Sequence, residues 1–429
     1  MKRTVLLILA LLSLASAYAE SWSLERCVQY AIDNNINVRQ RKVAESQGEL
    51  EVTEAKDRFL PQVSGYASQN FNFGRGLTAD NTYVNRNTSS FAAGASLNMP
   101  IFQGLSAVRR LAYSRASLQV LLEQTEAAKD DVTLNVLSQY LQALYAGEML
   151  NVSRINLEIS RSELKRRREL LDAGKIPELD IYEAEAQVSR DELSVTSAET
   201  DSVMAVLDLA QLLNLPSADG FEIEPLPDAL PPIMTADEVF ATAWANNHAV
   251  RAARLQQDAA DKNVAVAKSG YLPSLSFNAG IGTNYYRTSG YDNESFGPQM
   301  RHNFAKSIGF SLSVPVFDAF STRNSVRRAR IQQESVRLDL ENTRNQLYKS
   351  ITQAYTQAMR SVKQMESSAK AVESSKAAFY AMQVKYDNGR ANATEFEKAK
   401  SDYTSALAQH VQARYERILR ARILEFYSR

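Results

Sequence analysis

The side chains that most often carry chemistry are few in this sequence and far apart. His248, His302 and His410 are its three histidines, and they lie too far apart in sequence to offer a metal or acid–base site much to draw on. Cys27 is the only cysteine, which excludes an internal disulfide framework and a C-x-x-C metal clip. No phosphate-cradling glycine loop, nucleophile elbow or H-E-x-x-H segment occurs. Carboxylates are many, but none is singled out by its surroundings. Catalytic residues, cofactors and metals are therefore not expected. His248 reads as packing at a helix start, and His302 as a solvated residue in a loop between strands. The Arg166-Arg167-Arg168 run reads as a wet helix face, with a docking contact as the alternative.

The 429 residues carry 49 basic and 49 acidic side chains. With no excess of positive charge to replace phosphate counterions, nucleic acid is not an expected partner. The first 19 residues have a charged start (Lys2, Arg3), an apolar run (Val5 to Leu14) and Ala17-Tyr18-Ala19. That is the pattern of a secretory signal peptide cleaved after Ala19, and it would leave 47 basic and 49 acidic residues, net −2. Beyond it no apolar run is long enough to span a bilayer as a helix. Cys27 follows Leu24-Glu25-Arg26, not the small residues of a lipid-attachment site, so no acyl anchor is predicted and the thiol reads as a packing group.

The elements around these residues occur twice. Asn34-Asn35 and Asn246-Asn247, Val38-Arg39 and Val250-Arg251, and Leu60-Pro61 and Leu272-Pro273 all lie 212 apart, whereas Ser96-Leu97-x-x-Pro100-x-Phe102 and Ser311-Leu312-x-x-Pro315-x-Phe317, like Gly174 and Gly389, lie 215 apart. One three-residue length change, in a loop where it costs little, accounts for the shift. Residues 215–235 hold five of the 11 prolines and read as an extended connector. The first repeat is thus 20–214 and the second 236–429.

Each repeat starts with a short helix (Leu24 to Asp33 in the first) that its asparagine pair breaks, taken here as a helix-ending conformation. A second helix runs from Ile36 to about Arg58. Alternating stretches follow at 61–74 and 89–101, and again at 273–286 and 305–317. In the first, Val63, Gly65, Ala67, Phe71 and Phe73 take one face, and Ser64, Ser68, Asn70 and Asn72 the other, the period of a strand. Gly74 to Thr88 reads as a loop. From Phe102 to Pro177 there is no proline, which predicts a helix of nearly seventy residues, roughly 100 Å long. Gly174 ends it, and a return helix of ~55 Å runs from Glu178 to about Asn214. The second repeat has a long helix from Ser321 to Asn388, a turn at Gly389 and a return to the C-terminus. Apolar residues recur every seven positions (Leu111, Leu118; Ile181, Val188, Val195; Ile331, Leu338; Leu340, Leu347, Ala354), which predicts supercoiled helices. The ~35 Å and ~55 Å helices, stacked end to end, approach the length of the long one. That arrangement would put the strands at one end and both glycine turns at the other.

The fold expected is therefore mainly α with a small β part. The strands have the length and alternation of transmembrane strands, apolar toward lipid and polar toward a lumen. Four cannot close a barrel, and an open edge is not tolerated in lipid, so several copies are required; three would give twelve strands.

In this order and spacing the residues resemble the outer membrane efflux protein family, the TolC-like channel-tunnels, over essentially the whole mature chain. The resemblance is carried by Ala31-Ile32-Asp33-Asn34-Asn35 and Ala243-Trp244-Ala245-Asn246-Asn247, by the two Leu-Pro strand starts, by Pro100-Ile101-Phe102 and Pro315-Val316-Phe317 at the strand-to-helix transitions, and by Leu171-Asp172-Ala173-Gly174 and Tyr386-Asp387-Asn388-Gly389 at the tips. Ile36 and His248 replace a frequent proline, Ala319-Phe320 an expected glycine pair, and Pro177 is unusual in the first tip. The resemblance implies a homotrimer with a twelve-stranded β-barrel in the outer membrane and an α-helical periplasmic tunnel. It implies passive export of drugs, metal ions or other small toxic compounds. The implied partners are a periplasmic adaptor (membrane fusion) protein, an inner-membrane transporter of RND or ABC type, and outer-membrane lipid. Protein secretion beside an ABC exporter is the alternative, and a periplasmic coiled coil without a pore a more distant one. Gly174, Gly389, Leu171 and Asp172 are the expected tip and adaptor-docking residues. Asp180 and Glu395, each six residues past its glycine, with Tyr386 and Arg390, are the expected gate. Three Glu395 side chains in a ring would favour cations.

Overall fold

The computed structural model describes residues 21–77, 81–218, 220–227 and 230–428; the signal-peptide reading falls outside them. The long proline-free runs form the two longest elements. They are α3 (Ser106–Asp172) and α8 (Ser321–Asp387), each of 67 residues. Their return helices α4 (Glu178–Leu212) and α9 (Ala393–Tyr427) have 35 residues each. All four keep the 215 offset. The other helices are α1 (Leu24–Asn34), α2 (Ile36–Asp57), α5 (Ala236–Asn246), α6 (His248–Lys268) and the short α7 (Phe296–His302). The strands are β1 (Gln62–Asn72), β2 (Arg75–Leu77), β3 (Tyr83–Asn85), β4 (Thr88–Gln103), β5 (Ser274–Thr288) and β6 (Ala305–Ser313).

Several boundaries differ from the sequence reading. The loop after β1 holds the small β2–β3 hairpin, and the loop after β5 holds α7. Strand β6 stops at Ser313, four residues before the expected end at 317. Pro315 cannot donate to a ladder. Pro100 is accommodated inside β4 because the register slips between it and Phe102, and proline is tolerated at such bulges. Asn35 is extended (φ −64°, ψ 131°), not left-handed; its Oδ1 accepts the Asn37 N–H at 2.9 Å, so it ends α1 and starts α2.

The chain forms two units. Of the described residues, one comprises those up to Val43, Glu123–Arg251 and those from Asn342. It contains both hairpin turns and two cores built from matching positions. Cys27, Ala31, Val38, Val136 and Leu209 pack in the first, and Val239, Ala243, Val250, Ile351 and Leu424 in the second. Cys27 thus fills the slot that Val239 fills in the other copy, and burial pushes its thiol up to about 12. The proline-rich connector is packed rather than loose. Phe221 is in the first core, Trp22 bridges to Ile223, and Tyr140 Oη donates to the Glu224 carbonyl at 2.6 Å.

The second unit comprises Ala44–Leu122 and Ala252–Glu341 and holds the antiparallel sheet β1-β4-β5-β6. The register carries the alternation across all four strands. Val63, Leu97, Ala279 and Ile308 form one apolar row, and Ser64, Ser96, Gly280 and Ser307 an adjacent polar one. Ser64 Oγ lies 2.9 Å from Ser96 Oγ, and Asn98 Nδ2 donates to Asn278 Oδ1 at 3.1 Å. The outer strands β1 and β6 are exposed along their whole length and, among the described residues, have no strand on their outer side. Of the heptad positions expected on α8, Leu347 and Ala354 lie in the second core, whereas Ile331 is 71% and Leu338 52% exposed, with Val326, Ala329 and Val336 buried in that stretch instead.

Both strand-to-helix transitions use left-handed backbone, at Gly104 and Leu105 (φ 59° and 65°) and at Ala319 and Phe320 (φ 53° and 65°). A Cβ on Gly104 would stand 2.8 Å from the Ser269 carbonyl oxygen, so glycine is required there for space as well as for φ. Ala319 carries its methyl group in the equivalent conformation.

Candidate functional site

Tight reversal of a helix needs one residue in the left-handed region, and Gly174 (φ 68°) and Gly389 (φ 69°) supply it. The bonding around them matches. Lys175 N donates to Leu170 O (2.9 Å) and Gly174 N to Leu171 O (2.8 Å); Arg390 N donates to Lys385 O (2.8 Å) and Gly389 N to Tyr386 O (3.0 Å). These are paired Schellman closures. Nothing lies within 4 Å of a Cβ built on either glycine, so backbone conformation, not space, selects them.

Past the glycines the turns diverge. Asn392 and Glu395 form a capping box in which each side chain accepts the other's backbone N–H. The equivalent residues are Pro177 and Asp180. Proline offers no side-chain acceptor, and α4 starts without a side-chain cap. The equivalent acids therefore do different work. Glu395 is bound to its own helix start, while Asp180 offers its backbone carbonyl, which accepts from Arg167 Nη1 at 3.1 Å.

The two hairpins are joined just behind the turns. Glu163, buried on α3, receives Tyr386 Oη at 2.7 Å and Arg167 Nε at 2.8 Å on the same oxygen. Arg166 donates to the Tyr386 carbonyl (3.1 Å), pairs with Asp387 (3.1 Å) and lies 4.5 Å over the Tyr386 ring. That ring stacks on Phe396 at 4.9 Å. Burial, and then the Glu163 hydrogen bond, push the Tyr386 hydroxyl up to about 12. Burial disfavours the Arg167 charge, yet Glu163 and Tyr386 hold its pKa above the ordinary arginine value.

One turn deeper a buried polar cluster ties α3, α4 and α9. Asp191 accepts from Ser160 Oγ, from Asn156 (2.9 Å) and from Gln187 (3.0 Å), and pairs with Lys400 at 3.3 Å; Lys400 also donates to Ser160 Oγ. The repeat does not duplicate these groups. The positions matching Lys400, Asp191 and Glu163 are Glu185, Ala406 and Ala378. One hairpin supplies Glu163, Asp191 and the arginines, and the other Tyr386, Asp387 and Lys400.

Tyr386 is the one expected gate residue whose side chain crosses between hairpins. The Arg390 side chain is exposed and engages no ion pair among the described residues, nor does the Asp180 carboxylate. Leu171 is half-buried and Asp172 exposed, although its counterpart Asp387 is paired. The arginine run is not one wet face: Arg166 reaches the second hairpin, Arg167 is buried, and only Arg168, paired with Glu185 at 2.7 Å, is exposed. His248 does more than pack, since its Nδ1 lies 2.7 Å from Glu123 Oε2. Exposed His302 pairs with Glu294 at 2.9 Å. Pro100 and Phe102 flank the β4 bulge, and exposed Phe317 lies edge-on to Phe320 at 5.4 Å. Glu163, Asp191 and Lys400 were missed in the sequence. The Glu163–Arg167 spacing of four was visible, but nothing marked these charges as buried. Among the described residues no cluster of His, Cys, Asp or Glu fits a metal ion, and no helix is long and apolar enough to cross a membrane.

A sequence model described as "Outer membrane efflux protein" matches residues 27–215 and 239–426, one match per repeat. The outer membrane protein TolC of Escherichia coli K12 is 24% identical over 352 residues, covering 77% of this chain and 66% of that protein. TolC of Vibrio cholerae is 24% identical over 283 residues, covering 65% of this chain and 61% of that protein. The aligned stretches thus fall short of two thirds of either relative. Among solved structures, the Campylobacter jejuni CmeC outer membrane channel superposes with a TM-score of 0.79 at 16% identity, covering 94% of this chain and 85% of that one, a likeness of fold.

Proposed function

The chain belongs to the outer membrane efflux protein family, and from that premise we propose that three copies form a passive export duct across the outer membrane. One observation carries this reading: a four-stranded sheet with a continuous apolar row, an adjacent polar row and two unpaired edge strands. In hydrocarbon an unpaired edge leaves backbone groups unsatisfied at several kcal/mol each. Closure in lipid therefore needs β1 of one copy against β6 of the next. Twelve strands would leave a lumen lined by Ser64, Ser96, Asn98, Asn278 and Ser307. The exposed Ile331 and Leu338 give neighbouring copies an apolar surface to pack on.

The paired hairpins form the periplasmic tunnel in this reading, and their turns its gate. The Glu163–Tyr386–Arg166–Arg167 cluster is the latch that holds each protomer's hairpins together. The Arg390 guanidinium and the Asp180 carboxylate, without an ion pair among the described residues, face the next copy, and Gly174, Gly389, Leu171 and Asp172 meet an adaptor protein. Glu395, fixed in its capping box, adds an acidic group to each turn. The cargo is small toxic compounds, drugs or metal ions, delivered by an inner-membrane transporter of RND or ABC type.

Reconstitution in planar bilayers tests the duct. A detergent-stable trimer with discrete conductance steps is expected; a folded, water-soluble monomer without conductance refutes it. Co-purification separates the cargoes: an RND pump supports small molecules, and an ABC exporter carrying a polypeptide substrate supports protein secretion.

A further inference from the structure

Immediately after the sheet the charge distribution becomes one-sided. The first residues of α3 and α8, 106–122 and 321–333, contain seven arginines and no acid. Arg109 is structural: its Nη1 donates to the Ala265 carbonyl (3.0 Å) and to Ser269 Oγ (3.1 Å). The other six, Arg110, Arg115, Arg323, Arg327, Arg328 and Arg330, are all exposed, and none is in an ion pair among the described residues. Arg110 and Arg323 lie over the rings of Tyr113 (5.2 Å) and Phe320 (5.5 Å), and Arg328 reaches Ser325 Oγ at 3.4 Å. The acids that flank these segments are engaged elsewhere: Asp318 accepts the Thr322 N–H at 2.8 Å and caps α8, Glu334 pairs with Arg337 at 2.7 Å, and Glu123 lies 2.7 Å from His248 Nδ1.

Cations in the first turns of a helix oppose its macrodipole. Of the six only Arg323 stands in a first turn, but six like charges crowded onto two helix starts with no acid beside them repel one another, and among the described residues no carboxylate neutralises them. Elsewhere the same chain pairs arginines readily, as in Arg154–Glu199 and Arg161–Glu192. A second feature adjoins them. Val316 is 93%, Phe317 74% and Phe320 54% exposed, an apolar stretch of chain between the end of β6 and the arginines.

We propose that this arginine collar binds the phosphate headgroups of anionic phospholipid, in the leaflet that meets the sheet where α3 and α8 begin. This rests on the membrane-embedded reading above. The apolar stretch sits among acyl chains, and the arginines lie within about 15 Å of the helix starts, in reach of a phosphate layer. Guanidinium suits phosphate because its planar fork donates two parallel hydrogen bonds. The ligand is thus an anionic glycerophospholipid rather than a zwitterionic one.

The test uses the full-length trimer in detergent, with phosphatidylglycerol or phosphatidylcholine added and bound lipid counted by native mass spectrometry. Wild-type protein is expected to retain phosphatidylglycerol preferentially. The R323Q/R327Q/R328Q/R330Q variant should bind it more weakly, by about five-fold for each arginine removed. The corresponding four-lysine variant should keep most of the preference, which separates charge from folding. Equal retention of both lipids, or an undiminished preference in the glutamine variant, overturns the proposal. So does loss of the trimer with the preference intact, which would assign the arginines to a neighbouring copy. A chain that inserts into no bilayer refutes the membrane reading itself, whereas one that inserts but ignores headgroup charge refutes only the collar.

Discussion

Tyr386 donates its phenolic hydrogen to Glu163 across 223 positions of sequence, at 2.7 Å, and so joins the end of one hairpin to the shaft of the other. Tyr386→Phe removes this bond and keeps the stack on Phe396. A hydrogen bond to a charged acceptor contributes about 1.5–3 kcal/mol. The variant is expected to raise open probability by roughly ten-fold or more in single-channel recordings. Adding Arg390→Ser should raise it further if Arg390 meets the next copy as proposed. Unchanged conductance in the double variant would remove the latch from the mechanism.

The same hydroxyl gives a pH dependence. Its folded pKa of about 12 lies above the ordinary value of 10, so the protonated form is favoured in the folded state. The stabilisation is complete below pH 10 and is lost as pH rises toward about 12. Because burial raises Tyr140 and Cys27 as well, the comparison is wild type against Tyr386→Phe. Protease sensitivity of the turns should rise between pH 10 and 12 more steeply in wild type. Parallel curves would contradict this.

Lys400→Met leaves Asp191 buried without its cation, which should cost about 3–5 kcal/mol. Lys400→Met with Asp191→Leu should recover much of that loss. Denaturant unfolding of the four proteins of this double-mutant cycle measures the coupling. Additive losses would mean that the pair contributes nothing as a pair.

At the strand-to-helix transitions, Gly104→Ala should lower the thermal unfolding temperature, because its methyl group meets the Ser269 carbonyl in a left-handed backbone. Ala319→Gly should be neutral or mildly stabilising, by less than about 1 kcal/mol, since relief of strain is partly offset by a freer unfolded chain. Equal effects at both sites would disprove the steric difference.

Cys27→Val places in the first core the residue that the second core carries at Val239. It should change stability by less than about 1.5 kcal/mol. Cys27→Ser should destabilise by about 1–3 kcal/mol, because its hydroxyl is buried. Thermal unfolding ranks the two.

The scaffold could be read from the sequence because it is written in long-range punctuation. Missing prolines from Phe102 to Pro177, Gly174 and Gly389 at one spacing, and strict alternation around Val63 and Phe91 each specify an element without tertiary information. The latch could not be read the same way. Glu163, Asp191 and Lys400 look like any charges on a solvated helix, and only the approach of two distant hairpins buries them. Capping was equally hidden: Glu395 and Asp180 hold equivalent positions, and the identity of the residue three before each, Asn392 or Pro177, decides what the acid does. The seven-residue period at Ile331 and Leu338 found an apolar stripe, but periodicity does not say whether that stripe faces the same chain or another.

Strands β1 and β6 present different edges, so in the proposed trimer contact between copies would be head-to-tail rather than self-complementary. A ring closed this way has no spare joint. One subunit whose β6 edge is blocked interrupts the whole circuit, so co-expressed edge-defective chains should behave as dominant negatives rather than as silent passengers.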